Sequence, residues 1–261
     1  TKHFPFAPHS FYASNDIQSD YQKSFNNKAK TKKLMCTQFD KMNYLVHYRN
    51  LKYYVSQGMK VTKIHSIIEF KQSPWMKAYI DGNTEKRDQA KAVKNDFEIN
   101  IWKLLNNSVF GKTMEDVRRR RDIHLVTNDY DCRKICSRPT FKNGVKFTET
   151  FSALETTKYE TTFNKPIYVG FSVLELSKLL MYEMYYDVLQ PFYPTIELLY
   201  MDTDSFFLNI PTNDLYHDLK NTSLKEKYTN KIGNFKDEAE GKIIEECIFL
   251  RSKCYSWKKL G

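Results

Sequence analysis

Leu198-Leu199-Tyr200-Met201-Asp202-Thr203-Asp204-Ser205-Phe206-Phe207-Leu208 sets two apolar runs around a short acidic centre. The apolar runs read as strands, and Asp202-Thr203-Asp204 as the tight turn or strand end between them. In extended chain, carboxylates two residues apart project to one side. Two hard oxygen ligands so placed, in a strongly basic protein, suggest Mg²⁺ held against phosphate. An ordinary polar hairpin turn accounts for the same residues, because Asp is a common turn residue. The rest of the chain bears on the choice.

The 261 residues suffice for one large domain or two small ones with a real core. With 41 basic and 31 acidic residues the formal net charge is +10. That balance favours a polyanionic partner, without separating nucleic acid from an acidic membrane surface. Tyr and Phe number 18 each. Aromatics interleaved with cations suit a nucleic-acid channel, although most aromatics fill cores. The five cysteines include no Cys-x-x-Cys, and Cys132 and Cys136, the closest pair, lack a His or Cys partner at zinc-finger spacing. They read as reduced thiols of an intracellular protein, nuclear if the host is eukaryotic. No apolar run reaches transmembrane length and the start carries no signal-peptide pattern, so no membrane partner is expected. The missing initiator Met and the abrupt end at Lys258-Lys259-Leu260-Gly261 read as cuts in a longer protein.

Four regions follow from the patterning. Residues 1–72 comprise a polar arm to about residue 38, a helix from Phe39 to about Gly58 and a β-branched strand from Val61 to Phe70. The arm carries clustered Lys28, Lys30, Lys32 and Lys33, with Asn15, Asn26 and Asn27 against regular structure. Residues 73–116 form a helical pair opened by Ser73-Pro74 as cap and first turn. Asp81-Gly82-Asn83 either breaks the first helix or is spanned by it to about Ala90. Val93, Phe97, Ile101, Leu104 and Leu105 give the second helix its apolar face. Residues 117–166 read as a β-rich insert, with Asn143-Gly144 as a hairpin turn and Arg118-Arg119-Arg120-Arg121 as either a phosphate contact or a solvated face. Residues 167–261 hold a helix from Gly170 to Gln190, with Val173, Leu176, Leu179, Leu180, Met184 and Val188 inward. The acidic hairpin, a helix over 214–227 and paired strands over 243–257 follow it.

A second chemical stretch is Lys103-Leu104-Leu105-Asn106-Asn107-Ser108-Val109-Phe110-Gly111. On a helix, Lys103, Asn107 and Phe110 share a face. A Lys one turn from an Asn can hold a triphosphate, the ring can pack on a sugar, and Gly111 removes bulk where a base pair approaches. An amphipathic helix with a solvated Lys is the plain alternative. Lys-x-x-x-Asn-Ser-x-Tyr-Gly resembles the fingers motif of family B DNA polymerases, and Tyr-x-Asp-Thr-Asp-Ser their palm motif. Leu250-Arg251-Ser252-Lys253-Cys254-Tyr255 resembles their Lys-x-Tyr motif. All three occur in the family's order. The runs Val46-His47-Tyr48-Arg49-Asn50-Leu51, Phe70-Lys71-Gln72-Ser73-Pro74-Trp75 and Phe163-Asn164-Lys165-Pro166-Ile167-Tyr168-Val169-Gly170 resemble the protein-primed branch. The sequences of Maverick/Polinton transposons are the ones most resembled.

The resemblance implies an α+β fold: a palm, meaning an antiparallel sheet backed by helices, with a helical fingers pair, truncated here. It implies Mg²⁺-dependent addition of deoxynucleotides to a 3′-hydroxyl, with DNA template-primer and deoxynucleoside triphosphates as partners and a terminal protein as a further candidate primer. Asp204 resembles the carboxylate that bridges two metal ions, and Asp202 its weaker neighbour. Lys103 would meet the nucleotide's phosphates. Asn107, Phe110, Gly111 and Tyr200 would line the nucleotide. Lys253, Tyr255 and Thr203 would serve the primer end. Lys86, Arg87 and Lys91 are equivalent candidates for a second phosphate contact.

Three departures qualify this. No Asp-x-x-Ser-Leu-Tyr-Pro-like motif supplies the other metal ligand, and Asp16, Asp20 and Asp40 lack its context, so the 261 residues alone are expected to be inactive. Phe110 replaces the family's Tyr and loses its hydroxyl. No exonuclease region is present. The alternative is a non-catalytic, nucleic-acid-binding remnant of a transposon polymerase. A reverse transcriptase is disfavoured, because Thr203 separates the two aspartates. His47, His65, His124 and His217 show no ligand spacing, and Asp237-Glu238 and Glu245-Glu246 read as solvated charges.

Overall fold

The computed structural model describes residues 5–12, 14, 16, 18–24, 32–228 and 234–260; Lys28, Lys30, Asn15, Asn26 and Asn27 lie outside them. In chain order the elements are β1 (His9–Phe11), α1 (Asp20–Ser24), β2 (Lys33–Met35), α2 (Tyr48–Ser56), α3 (Lys77–Ala92) and α4 (Asp96–Thr113). Then come β3 (Asp122–Val126), α5 (Asp129–Cys136), β4 (Phe141–Thr148), β5 (Phe151–Thr156) and α6 (Ile167–Glu183). A π-helical segment, Met184–Leu189, leads into α7 (Gln190–Phe192). The chain ends with β6 (Glu197–Asp202), β7 (Ser205–Asn209), α8 (Leu215–Asn221), β8 (Ile244–Arg251) and β9 (Cys254–Lys259). The fold is mixed α+β with several antiparallel sheets. It divides into two units, Thr1–Ile68 with Val173–Gly261, and Glu69–Ser172.

The first unit is built around tyrosines. Tyr54, Tyr182, Tyr185, Tyr186 and Tyr193 are buried with Phe6, Met184, Leu189, Ile196 and Leu224. Phe6 stacks on Tyr54 at 5.2 Å and meets Tyr182 edge-on at 4.8 Å, an arrangement that lets aromatic quadrupoles attract. Asn50 on α2 is fully buried and donates to the Glu175 main-chain oxygen at 2.8 Å and to Oε2 at 3.1 Å, fixing α2 on the part of α6 that belongs to this unit. The Asn50 amide nitrogen thus has its acceptors within the unit, while its Oδ1 is buried without a hydrogen-bond partner.

Several expectations fail here for identifiable reasons. The arm is not all loop: β1 pairs antiparallel with β2, His9 opposite Met35. The helix expected from Phe39 starts only at Tyr48, because Asn43 sits at φ +50° and His47 caps the first turn, its Nδ1 accepting from the Arg49 N–H. Met42 and Leu45 are therefore exposed. No strand forms over 61–70, and all of these residues are exposed. β-branched composition yields a strand only where a neighbour completes the ladder, and none of the described strands pairs with this stretch. The helix expected from Gly170 begins at Ile167 and is carried past Pro191, which falls in the first turn of α7 where no N–H is required. Of its expected inward residues Leu179 and Met184 are buried, but Val173, Leu176 and Leu180 are exposed, because Glu175 and the tyrosines take the buried face.

In the second unit, α3 and α4 form an antiparallel pair. α3 runs through Asp81-Gly82-Asn83 without a break, since Asn83 is buried and donates to Asn106 Oδ1 at 2.9 Å. Asn95 caps α4 by accepting from the Glu98 N–H, and Asp96 and Glu98 suit the positive end of the helix dipole. The expected apolar face is displaced: Val93, Phe97 and Leu104 are exposed, whereas Ile101, Trp102, Leu105, Val109 and Phe110 are half-buried. Gly170 permits close packing near the end of α4, where a Cβ would lie 2.1 Å from Met114 Cγ. The β-rich region is a three-stranded antiparallel sheet in the order β3-β5-β4, with α5 packed on it through Ile135 against Val126 and Leu154. Asn143-Gly144 lies inside β4, not at a turn. Gly144 faces Leu154, whose Cδ2 would be 2.8 Å from an added Cβ.

Candidate functional site

The acidic hairpin forms as read, β6 and β7 pairing antiparallel with Asp202 opposite Ser205. A bulge between Leu198 and Tyr200 changes the side-chain alternation. Leu198, Met201, Phe206 and Leu208 thereby pack on the tyrosine core, while Tyr200 stacks on Phe249 of β8 at 4.8 Å with ring planes 5° apart. Asp204 does not continue an extended strand. It stands exposed at the tip, its N–H bonded to the Asp202 oxygen, with Thr203 at φ +52°.

The β8–β9 hairpin brings its own tip to the same place. Lys253, also left-handed at φ +57°, donates its N–H to the Tyr200 hydroxyl at 3.0 Å. Its ammonium donates to Asp202 Oδ2 at 2.7 Å. Thr203 Oγ1 donates to Asp202 Oδ1 at 3.1 Å, so both carboxylate oxygens are engaged. The Lys253 ammonium, helped by the Thr203 hydroxyl, holds the Asp202 carboxyl below its ordinary range, and Asp202 in turn raises Lys253. Tyr255 lies 5.1 Å from Tyr200 and 5.3 Å from Phe207, ring centre to ring centre. Five of the expected residues, Tyr200, Asp202, Thr203, Lys253 and Tyr255, thus converge within one unit, with Asp204 beside them.

In the other unit, α4 carries Lys103 and Asn107 exposed and without a side-chain partner among the described residues. Phe110 is half-buried and Gly111 exposed. A Cβ at Gly111 would meet nothing within 4 Å, so the chain's own packing does not demand glycine there. The three basic candidates on α3 now differ. The Lys86 ammonium sits 4.6 Å from the Trp102 ring centre, and Lys91 pairs with Asp88 at 2.7 Å. Arg87 has a buried Nε with no hydrogen-bond partner. The Asn83–Asn106 bond sets the register of the antiparallel pair, which puts Arg87, one turn on from Asn83, at the level of Trp102 and Lys103. In the sequence Arg87 is one of three equal candidates; its buried donor is a three-dimensional signal.

The four-arginine run is engaged internally. Arg118 lies over Phe163 at 4.8 Å, Arg119 pairs with Asp116 at 3.1 Å and Arg121 approaches Glu155 at 3.8 Å. Arg120 binds Glu115 through two nitrogens, at 2.9 and 2.5 Å. Glu115 also meets Lys112 at 3.0 Å and Lys165 at 3.4 Å, and these cations hold its carboxyl far below the ordinary range, Arg120 foremost. Asp237, expected as a solvated charge, accepts from the Tyr216 hydroxyl and from the Ala239 and Gly241 N–H groups, so it organises a turn. All five cysteines are free. Among the described residues no helix is long and apolar enough to cross a membrane.

A pair of Mg²⁺ ions asks for oxygen ligands in near-octahedral array. Among the described residues, no group of three His, Cys, Asp or Glu side chains could hold a metal ion. Asp202 is committed to Lys253 and Thr203, which leaves Asp204 as the uncommitted carboxylate of the turn. These residues by themselves do not fit a two-metal site.

Residues 8–191 match the family described as DNA polymerase type B, organellar and viral, and the chain belongs to that family. The matched span contains Lys103, Asn107, Phe110 and Gly111, and ends before β6. No curated protein and no solved structure matches the chain.

Proposed function

We propose that this chain supplies part of the active centre of a DNA-directed DNA polymerase of the protein-primed branch, adding deoxynucleotides to a primer 3′-hydroxyl. The observation that carries the reading beyond the family is the 2.7 Å contact between Lys253 and Asp202, which joins two motifs 51 residues apart in the chain. Polymer extension is an in-line attack of the 3′-oxygen on the α-phosphorus, with pyrophosphate leaving, and its catalysis is mainly positioning and charge stabilisation.

On this reading Lys103 and Arg87 bind the triphosphate, an anion that would give the buried Arg87 Nε the acceptor it lacks. Asn107, Phe110 and the open face of Gly111 lie against the nascent base pair, and Tyr200, Thr203 and Tyr255 shape the primer side. Asp204 is the carboxylate for Mg²⁺, and a further carboxylate comes from outside these 261 residues, so the chain alone does not extend primers. The resemblance of residues 46–51, 70–75 and 163–170 to Maverick/Polinton sequences supports an origin in such an element, a terminal protein as primer, and an intracellular, in eukaryotes nuclear, setting. A second reading, a nucleic-acid-binding remnant without catalysis, is favoured by the lack, among the described residues, of three side chains grouped so as to hold a metal ion. The test is primer extension by a polymerase polypeptide containing this chain together with an Asp-x-x-Ser-Leu-Tyr-Pro segment. Asp204→Asn should lower the rate by on the order of 10²–10³, the scale of losing one group that stabilises transition-state charge. Full activity of D204N refutes the assignment, and tight DNA binding with no extension by the parent selects the remnant.

A further inference from the structure

We propose that Cys132 and Cys136 form a dithiol that a hydroperoxide closes reversibly to a disulfide, making α5 an oxidation site of the second unit. The proposal stands whether or not the chain extends primers. Both thiols are free and lie one helical turn apart on α5, so they share a face of the helix. Their surroundings differ. Cys132 is half-buried and packs against Val126, Ile135 and Leu154, where α5 meets the sheet. Cys136 is exposed and is the last residue of the helix. A hydrogen bond joins the two sulfurs. Desolvation and that bond push the Cys136 thiol above its ordinary value, so Cys136 keeps its proton toward the Cys132 sulfur. Cys247 and Cys254, by contrast, stand opposite Trp257 and Arg251 across the β8–β9 hairpin and not opposite each other.

The spacing decides how the pair behaves. Cβ atoms one helical turn apart lie about 5–6 Å from each other. A disulfide needs about 3.5–4.5 Å. Closing the bridge therefore costs the last turn of α5 its regular geometry, and a bond made under such strain is readily reduced. The turn can yield because the helix ends at Cys136, whose side chain is exposed. The hydroperoxide is the oxidant. The Cys132 sulfur, as thiolate, attacks one peroxide oxygen, the O–O bond breaks, and the other oxygen leaves and takes up the proton that the thiol released. The Cys136 sulfur then attacks the sulfenic sulfur of Cys132. The S–S bond forms, the S–O bond breaks, and the hydroxyl leaves as water with the Cys136 proton. The two sulfurs lose the electron pair that the peroxide gains. A small thiol such as glutathione reopens the bridge by exchange through a mixed disulfide.

The experiment treats the reduced 261-residue chain, kept dilute, with graded hydrogen peroxide. Remaining thiols are blocked with iodoacetamide and mapped by mass spectrometry. Trypsin cuts between the two cysteines, after Arg133 and Lys134, so the bridge appears as two peptides joined until reduction. The Cys132–Cys136 link should form at a lower peroxide dose than any other loss of thiol, and excess reduced glutathione should reopen it. C136S should leave Cys132 as a sulfenic acid that dimedone traps. C132A should leave Cys136 alkylated at the dose that closes the parent. A pair still fully alkylated at the dose that oxidises Cys36, Cys247 or Cys254 overturns the proposal, and so does a link formed only between chains, seen as a dimer that dilution suppresses. A bridge that survives glutathione overturns its reversibility. The measurement on the parent decides by itself should either variant fail to fold.

Discussion

Asp202 and Lys253 meet inside the chain at 2.7 Å, whereas Lys103 and Asn107 on α4 face solvent with no side-chain partner among the described residues. Both places carry residues that resemble motifs of one family, but their charges are handled in opposite ways. The hairpin tips are neutralised from within, held by stacked rings and two left-handed turn residues. The helix keeps a cation, an amide and an empty glycine face in the open, with the buried Arg87 donor nearby in register. The difference teaches where an anionic ligand finds no internal competitor. An anion at α4 would gain charge-assisted hydrogen bonds without breaking any, whereas one reaching the turn would first have to part Lys253 from Asp202.

Three substitutions probe that contrast. Lys103→Ala should have the largest effect, weakening binding of a deoxynucleoside triphosphate to the intact polymerase by roughly ten- to hundredfold. That corresponds to losing a charged hydrogen bond of about 1.5–3 kcal/mol. Its melting temperature should not move, and a drop would mean that Lys103 does have an internal role. Glu115→Gln is intermediate. It releases Arg120, Lys112 and Lys165, so binding of tripolyphosphate should tighten severalfold, checked by calorimetry at low salt. Because the folded-state pKa of Glu115 is lowered, its stabilising contribution is full above the ordinary carboxylate range of about 4.3 and fades as pH falls through the lowered value. The melting temperatures of parent and E115Q should therefore differ at neutral pH and converge in acid; a gap unchanged by pH excludes the ion cluster as its cause. Gly111→Ala is the smallest change in the free chain. It should stabilise α4 by up to about 1 kcal/mol, as glycine-to-alanine does in a helix interior. It should also slow nucleotide incorporation, and unchanged incorporation would leave the glycine without a ligand-facing role.

What could be read from the sequence was mainly local. The β6–β7 and β8–β9 hairpins follow from short-range patterning and turn residues, whereas the helix expected to open at Ser73-Pro74 begins only at Lys77 without a side-chain cap, and the β-rich region forms strands without a turn at Asn143-Gly144. The failures were long-range or context-bound. The β1–β2 pairing needs a partner some 20 residues away, and the Val61–Phe70 stretch looks like a strand but lacks one. The face of α6 was misassigned because apolar periodicity passes over Glu175 and Tyr182, which are buried there beside Leu179. The site divides in the same way. Asp202, Asp204, Lys103 and Asn107 stand out as motif residues in one dimension. The commitment of Asp202 to Lys253, and the separation of Arg87 from Lys86 and Lys91, exist only once Trp102, Asp88 and Tyr200 have found their places.

The tyrosine core also gives the fold an alkaline limit. Burial pushes the phenols of Tyr54, Tyr182 and Tyr193 well above the ordinary tyrosine value, and that of Tyr228 to about 12. A phenol that stays protonated in the folded chain but ionises freely in the unfolded one favours folding only below its ordinary value of about 10, and above that each adds to the drive to unfold. In strong base the aromatic rings that hold Phe6, α2 and the acidic hairpin together become the part of the molecule that turns against it.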